Sequence, residues 1–332
     1  MNIFDKMRDI LKIKKKEKDI RDKHTAYQLT ADDGYEICGK FCVRCLTIFF
    51  RPLMNFLRRK KPADWIRFIL LWMSALITVS ILVYIVGFIL VRGVPYITPS
   101  LFSLTYTTEN QSLFPALVTT VLMVGITLLL AVPFGVFTAI YLVEYASRGN
   151  KLVRVIRMTT ETLAGIPSIV FGLFGYLFFA IWLGWGKAIL TGCFTLAIMI
   201  LPIIIRTTEE SLKSIPDTYR EGSFSLGAGK LRTVWRVTLP SALPGIFAGI
   251  ILSVGRIVGE TAALIFTIGS VIKLPNSLFS QGRTLALHVL QLAGEGYYRN
   301  EAYATAVVLL VVVLGINGLS STIERRFKQK IK

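Results

Sequence analysis

Apolar residues in this chain are gathered into blocks far longer than the buried face of a soluble helix. Almost uninterrupted apolar runs cover 68–91, 113–143, 163–186, 188–205 and 303–323, and another, 242–272, is broken only by Arg256 and Glu260. A helix of about 20 residues crosses a hydrocarbon core of about 30 Å, so the pattern predicts six membrane crossings. The second and fifth runs are long enough to tilt or to extend beyond the core. The fold class expected is therefore an all-α membrane protein of six transmembrane helices.

Between the fourth and fifth runs lies a charged island, Ser214 to Pro244. Its pattern predicts two short helices joined at glycine. Pro216 suits a first helical turn, Ser214 stands where a cap would, and helix-forming residues run on to Leu226. Gly227 and Gly229 permit a tight turn, after which Leu231, Val234, Trp235 and Thr238 fall on one face of a second helix. Such an element can lie on a membrane surface or fill a groove in a partner.

The composition, 332 residues with 53% hydrophobic, excludes an ordinary soluble domain. The net charge of +18 is distributed unevenly. Residues 1–64 hold sixteen Lys/Arg, 144–161 four, 206–240 six and the tail after Ile323 five, whereas Arg92 and Lys187 stand alone in the opposite loops and 269–302 holds three. This is the positive-inside asymmetry, and it places both termini in the cytoplasm. Charge alone is non-specific, and its distribution accounts for the excess without nucleic acid. Residues 1–37 lack the apolar core of a cleavable signal, so the first run would serve as the insertion signal. The stretch 38–61, with its basic end Arg58 to Lys61, reads as an interfacial anchor against membrane lipid headgroups.

Several tempting motifs carry no chemistry. Gly34 to Phe41, GYEICGKF, has the glycine and lysine spacing of a phosphate loop, but Phe41 stands where a magnesium-binding hydroxyl is required. A second such pair, Gly229–Lys230, has Phe224 and Leu231 at required positions. Cys38, Cys42 and Cys45 recur at helical spacing without a visible fourth ligand, and the chain has two histidines, so neither a metal nor another cofactor is expected. His288 is expected to be a partly exposed packing residue of the fifth connection.

Glu221, Gly222, Ser223, then Gly227, then Val237 to Pro240 resembles the EAA-type coupling loop of bacterial ABC importer permeases, with Gly222 and Ser223 in place of the two alanines. In that family the loop docks on a separate ATPase. The resemblance assigns coupling to loop 206–240, with Glu221, Gly222, Ser223, Gly227 and the face of Leu231, Val234 and Trp235 as contact residues, and it leaves ATP hydrolysis to another chain. Three further motifs, AIYLVEYA (139–146), LAGIPSIVFGLFG (163–175) and GRIVGETAAL (255–264), are similar to the PstA-type permease of the phosphate-specific ABC importer. The likeness covers 68 to the C-terminus, and Ala263 departs from the proline usual there.

The domains expected are an N-terminal extension 1–64, a permease domain 65–323 and a basic tail 324–332. The resemblance implies a subunit of a bacterial inner-membrane importer, not itself an enzyme. Its partners would be a homologous permease, an ATPase dimer and an external phosphate-binding protein. Gly165, Pro167 and Ser168 interrupt an apolar helix, which is tolerated at membrane depth where the break is buried or lines a cavity. An arginine inside a span costs about 2.5–3.5 kcal/mol on insertion scales, so Arg256 needs a partner or a wet cavity. Glu260, one helical turn on, is expected to pair with it, and Thr261 could add a hydroxyl. The resemblance matches Arg256 to an arginine implicated in phosphate passage, which would release it from Glu260 as phosphate enters. Other solutes, the partner-type permease and a phosphate-signalling scaffold remain open alternatives. A proton-driven carrier is disfavoured, since the spans hold no carboxylate or histidine relay.

Overall fold

A computed structural model describes residues 62–107, 110–146 and 149–331. The expected lipid anchor, the Gly34 to Phe41 stretch and Cys38, Cys42 and Cys45 lie outside the described residues. The chain divides into two compact units, Met1–Ser80 and Ile81–Lys332. Of the first, 62–80 is described, and it is the opening part of a long helix, α1, Pro62–Gly93.

The second unit, so far as it is described, is helical. Helix α2 spans Phe114–Ile140 and widens into a π turn over Tyr141–Tyr145; α3 spans Lys151–Ala164. Next come α4, Ser168–Gly175, widening over Tyr176–Trp182, and α5, Ile189–Lys213. Two short helices follow, α6 at Asp217–Ser225 and α7 at Lys230–Thr233, the latter running through a π turn into α8, Leu239–Gly259. The remainder is α9, Ala262–Thr267, α10, Leu285–Glu295, and α11, Arg299–Ile331. Among the described residues, five helices are long and apolar enough to cross a membrane, and a sixth span forms if α3 and α4, bent by 105° at their junction, count as one.

Helix α5 is the axis of this unit. Leu196, Ile200 and Ile204 along it are fully buried with Met123 of α2, Ile257 of α8 and Leu264 of α9. Small residues set the helix spacing: a Cβ on Gly135 of α2 would lie 2.6 Å from Ile204 Cγ2, and one on Gly249 of α8 would collide with Thr207. At the other end, the N–H groups of Ile189 and Leu190, which no helical carbonyl can serve, donate to Ser280 and Leu278 in the fifth connection.

Four expectations change. The helix expected to end at 205 continues to Lys213, because Thr208, Glu209 and Leu212 stay buried. The expected loop 144–161 is helical from Lys151, forming most of α3, whose cap Asn150 accepts from the Leu152 N–H at 3.0 Å. Ser214 ends α5 instead of capping α6, and Pro216 occupies the N-cap. The run 242–272 is not one helix: α8 stops at Gly259, and Glu260 is extended.

Candidate functional site

The charged island forms a helical hairpin, as its glycines predict. Helices α6 and α7 are joined through Gly227, whose φ of +79° is the left-handed region that glycine enters freely. Ser223 and Thr233 share a hydrogen bond of 2.9 Å across the hairpin, so the small residue at 223 also clamps the two helices. Glu221, Gly222 and Leu231 are exposed. The expected apolar face divides. Trp235 is half exposed and meets Phe137 edge-on, while Val234 is buried with Ala139, Leu212 and Ile246 and seats the hairpin on the bundle. Tyr219, Phe224 and Leu226 add exposed apolar surface that the motif did not single out, Leu226 being 90% exposed at the turn.

Arg220, adjacent to the motif, was also missed. Its Nε and Nη2 both donate to Glu144 Oε1, at 3.0 and 2.9 Å, and both side chains are largely buried. Glu144 lies within AIYLVEYA, but no local spacing relates residues 76 apart in sequence. Nearby, Glu209 contacts Arg157 of α3 at 2.7 Å and Lys213 at 2.6 Å, lining a cleft of about 320 Å³ between α3 and α5.

The residues proposed for substrate passage do not form the expected pair. Because α8 ends at Gly259, Glu260 turns inward and its Oε1 accepts from the Ala263 N–H at 3.1 Å, capping α9. Arg256 is exposed and holds no hydrogen bond or ion pair among the described residues. It follows Gly245, Ala248, Gly249 and Leu252 in a stripe at helical spacing along α8. The first four of these border a groove of about 390 Å³, whose opposite wall carries the hydroxyls of Thr207, Ser211 and Ser214 and the carboxylate of Glu210, which Arg206 pairs at 3.0 Å. Arg256 stands one turn beyond. The 17 residues from Leu239 place it about 25 Å along α8 from the hairpin, well away from that end. Thr261 is half-buried at the break.

Gly165 and Pro167 mark the 105° bend between α3 and α4, and Ser168 opens α4. The reorientation brings Gly172 against α9, where a Cβ would lie 2.6 Å from Ala263 Cα. The broken α4 and the broken end of α8 therefore support each other.

The family of binding-protein-dependent transport system inner membrane components matches residues 131–332, more than half of the chain. The chain belongs to this family of ABC importer permeases. It is 34% identical over 268 residues to a probable ABC transporter permease, YqgI, of Bacillus subtilis, covering 74% of this chain and 89% of the relative. It is 33% identical over 279 residues to the phosphate transport system permease PstA 1 of Mycobacterium tuberculosis, covering 81% and 90%. Among solved structures, a bacterial alginate ABC transporter superposes with a TM-score of 0.62 at 16% identity, over 80% of this chain and 95% of that one. The MetNI methionine transporter gives 0.53 at 22% identity, over 65% and 94%. This permease is thus a multi-pass membrane protein and a transport subunit. Its family implies an ATPase, a second permease and a substrate-binding protein as partners.

Outside these motifs, a polar network forms in the fifth connection. His288 is fully buried, not partly exposed as expected: Arg283 Nη1 lies 3.3 Å from its Nδ1, and Tyr106 packs edge-on against it. Burial, reinforced by the Arg283 charge, lowers its pKa from the usual 6.5 to about 4. The imidazole is therefore a neutral partner of Arg283.

Proposed function

We propose that this permease imports inorganic phosphate with a homologous permease, an ATPase dimer docked on the α6–α7 hairpin and an external phosphate-binding protein. The observation that carries the reading is the exposed Arg256, unpaired among the described residues, in line with a hydroxyl-bearing groove along a membrane helix. A guanidinium facing lipid is costly, so this face belongs against a partner across a water-filled path. Its planar fork suits phosphate oxygens better than a point charge does. The relatives named as phosphate permeases support the same substrate. Both termini, the extension 1–64 and the tail 324–332 are assigned to the cytoplasm, with 65–323 as the membrane domain, on the positive-inside rule.

In this mechanism ATP-driven closure of the ATPases displaces the hairpin, and α8, continuous with α7, carries the motion to Arg256. Glu260 takes no direct part in holding Arg256. It fixes the break after α8, so the guanidinium is available to the anion without first being released. In proteoliposomes, Arg256→Gln is expected to abolish phosphate uptake while the complex still assembles. Normal uptake by an assembled variant would place the path elsewhere. Excess sulfate or molybdate should leave labelled phosphate uptake unchanged, whereas strong competition would identify a broader oxyanion permease.

A further inference from the structure

Both arms of the coupling hairpin continue covalently into the bundle, but neither continues into α2. Helix α7 runs on into α8, and α6, joined to the end of α5 by the short segment 214–216, meets α2 only through side chains. The decisive side chain is Arg220. Besides its two bonds to Glu144 Oε1, its Nη2 donates to the Leu212 carbonyl at 3.0 Å. Its Nη1 donates to the Ile215 carbonyl at 3.1 Å and to Asp217 Oδ1 at 2.9 Å. One guanidinium thereby gathers the last turn of α5, the linker, the start of α6 and the π turn of α2.

The Leu212 carbonyl is among those a helix end leaves without an internal partner, and a cation is favoured there by the helix dipole. The Arg220 side chain is 14% exposed and that of Glu144 8%, so little water competes for the pair. The same end of α2 also meets the second arm: Lys230 lies 5.1 Å from the centre of the Tyr145 ring, and Phe137 packs on Trp235.

We propose that Arg220 and Glu144 form a transmission latch that makes α2 follow the hairpin. ATP-driven displacement of α6 then moves α2, α5 and α8 together. The latch rests on the reading of the hairpin as the ATPase-docking element. Arg220 acts as a positioning residue, since it touches no substrate. A lysine could supply the charge but not the fork that reaches Glu144 and two carbonyls at once.

The test is the ratio of ATP hydrolysed to phosphate imported, measured on the reconstituted complete transporter. Arg220→Gln and Glu144→Gln should each assemble and hydrolyse ATP while raising that ratio at least about tenfold, a coupling of the size typical between linked sites. The double variant should be no worse than either single, because one link is broken in all three. Glu144→Gln keeps the shape but removes the charge that holds the guanidinium, so it breaks the ion pair while guarding against simple misfolding of the arginine variant. Assembled single variants with the wild-type ratio would overturn the latch. Loss of assembly in both would show a structural pair and overturn it equally. If the wild-type hairpin retains no ATPase, the docking reading itself fails and takes the latch with it.

Discussion

At the scale of single residues, His288 gives the sharpest pH dependence. Its pKa is lowered from 6.5 to about 4, so between these values the unfolded imidazole takes up a proton that the buried one refuses. The stability contributed is complete above pH 6.5 and is lost as pH falls towards 4, by at most about 3 kcal/mol. Melting temperature should fall less steeply between pH 7 and 4.5 in His288→Gln than in wild type, and parallel slopes would dismiss this residue. Arg256 shows how far single residues were legible. Its charge in an apolar run marked it, but pairing with Glu260 presumed an unbroken helix, and the Glu260 bond to the Ala263 N–H replaced that pair. His288 was misjudged for a related reason: its neighbours Arg283 and Tyr106 come from the chain's folding, and one of them lies far away in sequence.

At the scale of elements, the hairpin was legible because glycine signals a turn whatever surrounds it. A Cβ at Gly227 or at Gly222 would meet nothing within 4 Å, yet only Gly227 has a positive φ. Gly227→Val should therefore cost more than the roughly 1 kcal/mol typical of a left-handed L-residue and detach or uncouple the ATPase. Gly222→Ala should be tolerated and should favour α6 by up to about 1 kcal/mol. ATPase pull-down with both variants checks the contrast, and equal retention would refute it. Packing distances were not legible. The close approach of Gly172 to Ala263 makes Gly172→Ala an overpacking change of about 1–3 kcal/mol. A thermal melt of that variant matching wild type would contradict the contact. Helix α3 was hidden because its polar residues read as a loop, although Asn150 was a visible cap.

For the whole molecule, the apolar runs and the charge asymmetry identified the membrane class, since a bilayer imposes length and sidedness on any sequence. What they could not supply was which helix faces stay open for partners. That appears only when α5 has used its apolar surface on α2, α8 and α9, leaving Arg256 and the hydroxyl groove uncovered. The central claim is that this face belongs to an ATP-driven phosphate path. Its most direct test is uptake of labelled phosphate by proteoliposomes holding the permease pair, the ATPase and the binding protein. Uptake should require hydrolysable ATP and disappear in Arg256→Gln. Phosphate moving at the same rate without ATP, or with hydrolysis blocked, would contradict the account.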